Sequence, residues 1–309
     1  MSLDHGREGG RIRRMAKPLG EKVKPLGAKM ASFVPMPRQA MSIDPTMGVL
    51  GRLGGMEVRL ARSREEIKAA QQLRYHVFYE EMAAQPSALQ RMTRRDKDGF
   101  DRYCDHLLVI DTQKSAVLTE QIVGTYRLMR DTSAALAGGF YTASEFDIGP
   151  MILRHPGKRF LELGRSCVLK DYRGKRTVEL LWQGIWAYVL HHKVDVLFGC
   201  ASLSGTELST LTLPLTFLAN HAKAPDEWRV AALPHRSVVI PGECPDPKRA
   251  LAQLPPLLKG YLRLGGYIGE GAVVDYQFGT TDVLVVLPVE NINPRYIGHY
   301  GADAGRFAA

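Results

Sequence analysis

Cysteine is scarce in this 309-residue chain: Cys104, Cys167, Cys200 and Cys244 are the full set, with no CxxC pair and no Cys/His metal spacing. That excludes a disulfide scaffold and a zinc module, and it points to reduced thiols in a cytosolic protein. Long apolar runs are missing too. The most apolar stretches, 185–190 and 283–289, fall far short of the ~20 residues that span a bilayer. The basic N-terminus carries no apolar core of the roughly 7–15 residues that a secretory signal needs. Aromatic residues make up only 8% and do not interleave with basic ones as an RNA platform requires, so no nucleic-acid partner is expected. His106, His191 and His192 stand without partners at metal or triad spacing, and no metal or bound cofactor is expected.

What is present is globular: 45% apolar and 24% charged residues, in a chain long enough to bury a sizeable core. The net charge of +9 is uneven, because residues 1–55 hold ten Lys/Arg against four Asp/Glu and the rest of the chain is only +3. The first 55 residues are rich in Gly and Pro and read as a basic disordered tail, followed by a single domain over 56–309. Such a tail is either a solvated extension or an attractor for anionic membrane or an acidic protein, each basic residue near an anionic surface being worth ~1 kcal/mol.

Within the domain, MEVRLA (56–61) reads as a strand, and Ser63 with Glu66 forms the S-x-x-E signature of a helix start. That helix is expected to run to about residue 82, burying Ile67, Ala70, Leu73 and Val77. HLLVID (106–111), QIVGTYRLMR (121–130) and KRFLELGRSCVL (158–169) read as strands. A helix over 177–192 should bury a stripe of Val178, Leu181, Trp182, Ile185 and Val189. A strand over 194–202, a helix over 206–221 bent or broken at Pro214, a short helix over 257–264 and a strand over 283–289 complete the pattern. Antiparallel strands up to 169 and a strand–helix–strand unit after them predict an α/β (α+β) fold. Its sheet is mixed but mostly antiparallel, flanked by helices, with a C-terminal extension.

Several segments carry a resemblance. The strand–loop–helix unit over 160–192 is similar to the acyl-donor half of the GNAT N-acyltransferase fold, whose splayed strand and helix N-terminus receive a thioester arm and its phosphate. Arg74 in LRYHVF, Asp98 and Asp101 in DGFD, Arg127 in GTYRL, and Glu162 with Arg165 in ELGR resemble the acyl-homoserine-lactone synthases. The longer stretches FDRYCDHLLVID, LELGRSCVLKDYRGKR and PPLLKGYLRLGGYIGEGAVVDYQFGTTDVLVVL instead look like the bacterial ornithine Nα-acyltransferases of ornithine-lipid synthesis. The similarity covers roughly residues 56–298.

The resemblance implies attack by the α-amine of L-ornithine on a (3-hydroxy)fatty acyl thioester of acyl carrier protein, whose phosphopantetheine arm is a co-substrate. It implies a cytoplasmic location, with peripheral contact at the inner membrane as an option. Glu162, flanked by Leu161 and Leu163, is the expected general base, partial burial suiting a carboxyl to that work. The oxyanion donor is expected near Val168. Asp98, Asp101 and Asp105, at spacings that share one face of a helical turn, are expected either to recognise ornithine's δ-ammonium or to pair with Arg74 and Arg127. An arginine, with Arg165 among the candidates, would take the α-carboxylate. The loop Arg173, Gly174, Lys175 and Arg176 has one glycine where CoA-dependent members have two small residues, which favours a single carrier phosphate. In an unbroken strand Glu162 and Arg165 would face opposite sides; a bulge would change that. The other readings are an acyl-homoserine-lactone synthase-like enzyme and a non-catalytic lipid- or protein-binding module.

Overall fold

Ser63 opens the first helix as its signature requires: its hydroxyl accepts the Glu66 N–H at 3.2 Å in the computed structural model, which describes residues 47–292 apart from Ala83 and Pro241. In chain order the elements are β1 (Val49–Leu53), β2 (Met56–Leu60), α1 (Arg64–Tyr75), a π-helical turn (His76–Glu81), α2 (Ala88–Thr93), β3 (Asp105–Asp111), α3 (Leu118–Gln121), β4 (Ile122–Arg130), α4 (Asp131–Ala137) and α5 (Gly149–Arg154). There follow β5 (Phe160–Val168), α6 (Lys175–His192), β6 (Val196–Ser204), α7 (Leu208–His221), β7 (Ser237–Val238), α8 (Pro247–Gln253), α9 (Pro256–Arg263), β8 (Tyr267–Ile268), β9 (Ala272–Asp275) and β10 (Thr280–Pro288).

The strands form one sheet in the order β1-β2-β3-β4-β5-β6-β10-β9-β7, with β8 also on β10. Among the described strands only β5 and β6 pair in parallel; every other strand pair is antiparallel. Strand alternation sorts the core into two faces. Leu107, Tyr126, Leu128, Leu161 and Leu163 pack beneath α6, α7 and α9. On the opposite face Leu108 and Ile110 meet α1, while Met129, Phe160 and Phe198 meet the segments around Phe140, Met151 and Trp228.

One irregularity decides the architecture. Strands β5 and β6 pair only from Phe160↔Val196 to Glu162↔Phe198, although both continue beyond, to Val168 and Ser204. They separate where Gly199 lies so close to β5 that a Cβ there would sit 2.3 Å from the Leu163 carbonyl oxygen. Just beyond, the β4–β5 register slips: Thr125 faces Cys167 and Arg127 faces Gly164, so Arg165 and Ser166 together oppose Tyr126. Arg165 takes φ +51°, a left-handed conformation uncommon for a residue with a side chain, and forms a bulge.

Four expectations change. The tail expected over 1–55 lies outside the described residues up to 46, but residues 47–55 belong to the fold, because Val49–Leu53 pairs with β2 and buries Leu50. Order therefore starts before Met56. The helix after Ser63 leaves α geometry at His76 and continues as the π turn, while of the two outcomes expected at Pro214 the break does not occur, since α7 runs through it. Val178 stays 44% exposed instead of joining the buried stripe. Among the described residues no helix is long and apolar enough to cross a membrane.

Candidate active site

The unpaired halves of β5 and β6 leave a cavity of about 560 Å³ that passes through the sheet. Its walls differ because alternate residues of each strand point to opposite faces. Toward α6 and α9 it is apolar, lined by Leu163, Leu181, Trp182, Ile185 and Leu257. Toward the other face it holds the charged groups, Arg127, Glu162, Arg165, Asp275 and Asp282 with Tyr141, beside apolar Val77, Phe78 and Phe278. Val168 lies on its wall in the stretch of β5 that lacks a β6 partner.

Glu162 is 5% exposed, and its carboxylate accepts the N–H groups of Tyr141 at 3.1 Å and Thr142 at 2.6 Å. It thereby fixes the turn that brings the Tyr141 ring to the cavity. The bulge answers the question left by strand alternation: it turns Arg165 onto the same cavity as Glu162. There the guanidinium lies between the rings of Tyr141 and Phe278, 4.7 and 4.6 Å from their centroids. Its Nε is buried without a hydrogen-bond partner, 3.4 Å from Asp96.

The aspartates expected to share a helical face do not. Residues 99–103 form a turn, ahead of which Asp98 accepts the N–H groups of Phe100 and Asp101, and Asp105 begins β3. Asp101 bonds Arg74 at 2.8 Å and accepts from Gln71 and the Asp98 N–H, with Arg127 at 3.5 Å. Arg127 also bonds Asp98 at 2.7 Å. Burial alone would raise the Asp101 carboxyl, but Arg74 and Arg127 outweigh it and hold it well below the usual carboxylate range. Burial lowers His106 to about 4, so its neutral ring donates from Nε2 to the Asp101 carbonyl at 2.9 Å. Asp105 is elsewhere, accepting the Tyr188 hydroxyl of α6 at 2.5 Å beside Arg130 at 3.6 Å. Asp98 and Asp101 thus pair with Arg127 and Arg74, the expected partners within the fold, and Asp105 does not belong to the cluster.

A second carboxylate group was not anticipated. Glu145, Asp275 and Asp282 bring carboxylate oxygens within 4.8 Å of one another, a set able to hold a cation. Glu145 is 2% exposed; it accepts the Cys200 thiol at 3.2 Å, and its one nearby cation among the described residues is Arg236 at 3.8 Å. Burial, then the Asp282 charge, pushes Glu145 up to about 7. Burial also raises Asp282, against hydrogen bonds from Ser202 and Thr280. Burial holds the Cys200 thiol well above its ordinary value and Cys167 up to about 12, which keeps both protonated and argues against a cysteine nucleophile.

In the loop before α6, Gly174 caps the helix without any side-chain bond to the first turn. Arg173 is committed to Glu81 and to the Val168 carbonyl. Lys175 and Arg176 are exposed.

An acetyltransferase (GNAT) domain matches over residues 73–183, which includes β3 to β5 and the first half of α6. The L-ornithine N(alpha)-acyltransferase of Rhizobium meliloti is 56% identical over 268 residues, 86% of this chain and 90% of that protein. The protein of the same name from Rhodobacter capsulatus is 42% identical over 79% of this chain and 94% of its own. This chain belongs to the L-ornithine Nα-acyltransferase family. Among solved structures, an N-acyl amino acid synthase from uncultured soil microbes is 12% identical, with a TM-score of 0.43 over 76% of this chain and 91% of its own.

The family motifs in the sequence led to Glu162, Arg165 and the Arg74–Asp101 network. They did not lead to Tyr141, Glu145, Asp275, Phe278 and Asp282, which lie in separated segments. Gly199 gave no sign either, since the glycine reads as ordinary until β5 is placed against it.

Proposed function

We propose that this acyltransferase moves a fatty acyl group from an acyl carrier protein thioester to the α-amine of L-ornithine, with the thioester in the gap between β5 and β6. The observation that carries the reading is that this gap joins an apolar chamber to one that holds the cavity's charged groups. An acyl chain suits the α6–α9 side, where about 0.8 kcal/mol favours each buried methylene. The acceptor suits the other side, which is bipolar. Arg165 offers a caged guanidinium to an α-carboxylate, and Asp275 and Asp282 on the wall, with the buried Glu145 carboxylate grouped with them, offer negative charge to a δ-ammonium.

The α-amine must shed a proton to attack the thioester carbon. Glu162 faces the cavity and keeps lone pairs beyond the two that its backbone donors use, so it takes that proton directly or through one water. Attack forms the C–N bond and places charge on the former carbonyl oxygen, which an unpaired β5 amide near Val168 receives. Collapse breaks the C–S bond and releases the carrier thiol. The first turn of α6 suits the arm's single phosphate, and Lys175 with Arg176 draws in an acidic carrier.

The high identity to the curated relatives, over most of the chain, favours this acceptor over that of a lactone synthase. The test is to incubate purified protein with 3-hydroxyacyl carrier protein or acyl-CoA and with L-ornithine, lysine, taurine or glycine. Nα-acylornithine from the carrier donor is the expected product by mass spectrometry. Its absence would refute the acceptor assignment, and equal efficiency with acyl-CoA would refute the donor assignment.

A further inference from the structure

We infer that Gly260 sets the length of acyl chain that the enzyme accepts, because the chain runs past its bare Cα. This rests on the function proposed above. Helix α9 begins at a Pro255–Pro256 pair, anchors Leu258 and Tyr261 in the core, and turns Leu257 and Gly260, three residues apart, to the apolar chamber. The facing wall is α6, where Val178, Leu181, Trp182 and Ile185 recur at helical spacing.

A glycine inside a helix disfavours that helix about four- to fivefold relative to alanine, so its presence needs a reason. Two common reasons do not apply. Gly260 is not among the glycines with positive φ, and a Cβ built on it would find no heavy atom within 4 Å. Gly184 on α6 shows what a packing glycine looks like: a Cβ there would strike Val58 at 2.7 Å and Leu107 at 3.0 Å. Nothing among the described residues demands glycine at 260, yet it borders the chamber. Val178, apolar and 44% exposed on the facing helix, is the kind of surface an acyl chain would cover. The space beside Gly260 is therefore ligand space, and a side chain there occupies what the distal methylenes of a long chain would fill.

The test compares Gly260→Ala and Gly260→Leu with wild type, using acyl carrier donors from short to long saturated chains, L-ornithine as acceptor, and thermal unfolding in parallel. Gly260→Ala should melt at or above the wild-type temperature, since it favours the helix, and should still lower kcat/KM for the longest donors relative to the shortest. Gly260→Leu should move the optimum to shorter chains, by about fourfold in kcat/KM for each methylene displaced, with the KM for ornithine unchanged. Length profiles that superimpose on wild type, or that fall equally at every length, would overturn the inference. Wild type that makes no Nα-acylornithine from any donor would overturn the proposed function itself, a result separable from an active enzyme whose profile does not move.

Discussion

Replacing Glu145 by glutamine removes one charge from the carboxylate group while keeping its shape. Glu145 is buried, touches the Cys200 thiol, and has Arg236, at 3.8 Å, as its nearby cation. Removing that charge from the carboxylate group that meets the δ-ammonium should raise the KM for ornithine, about tenfold for each 1.4 kcal/mol of attraction lost. The pH dependence supplies a second readout. Burial and Asp282 raise this carboxyl from 4.5 to about 7, so it is protonated below that pH and ionised above it. The ratio of wild-type to Glu145→Gln kcat/KM should therefore rise as pH passes from about 6 to about 8, while the slope due to the α-amine remains in both. The folded state holds this proton more tightly than the unfolded chain. The contribution of Glu145 to stability is thus fullest below about 4.5 and is lost as pH rises through about 7, by on the order of 3 kcal/mol, and the variant lacks that loss. Steady-state kinetics across pH, with thermal unfolding on the same samples, reads both effects. An unchanged ornithine KM together with a lower melting temperature would refute the reasoning and make Glu145 a structural carboxyl.

Glu162→Gln should lower kcat by about 10²–10⁴, the usual contribution of a positioned base; unaltered turnover across about pH 6–9 would leave Glu162 as only the anchor of the Tyr141–Thr142 turn. Asp101→Asn should remove one of the two carboxylates on Arg74, leaving Asp96 at 2.9 Å, costing about 1.5–3 kcal/mol and roughly 3–12 °C in Tm. A stable variant with a raised ornithine KM would instead return Asp101 to the acceptor site. Lys175→Ala with Arg176→Ala should raise the KM for acyl carrier protein and flatten its salt dependence, with turnover at saturation changing less. An unmoved salt slope would show that these exposed cations do not steer the donor.

Local signals in the sequence were reliable where the physics is local. Ser63 capped its helix, and HLLVID, QIVGTYRLMR and the strand through Glu162 each formed within two residues of the expected bounds, because period-two alternation and capping chemistry act over a few residues. The π turn after Tyr75 was not legible, since the apolar spacing of Val77 and Phe78 is compatible with either winding. Val178 was misjudged because periodicity marks an apolar face without saying whether protein or ligand covers it. The charge pairs came through in part. The resemblance put Arg74, Asp98, Asp101 and Arg127 together, but three- and four-residue spacing implied a helix where the chain makes a turn, and so it wrongly drew in Asp105. The group of Glu145, Asp275 and Asp282 depends on β9 and β10 being folded back beside β6, a long-range pairing with no local signature.

The most direct measurement is a crystal structure of the protein with Nα-acyl-L-ornithine bound. The amide should lie between the unpaired halves of β5 and β6, with the acyl chain along α6 and α9, the carboxylate on Arg165, and the δ-ammonium within hydrogen-bond reach of Glu145, Asp275 or Asp282. An amide bound outside that gap, or a head group seated on Asp98 and Asp101, would contradict the account.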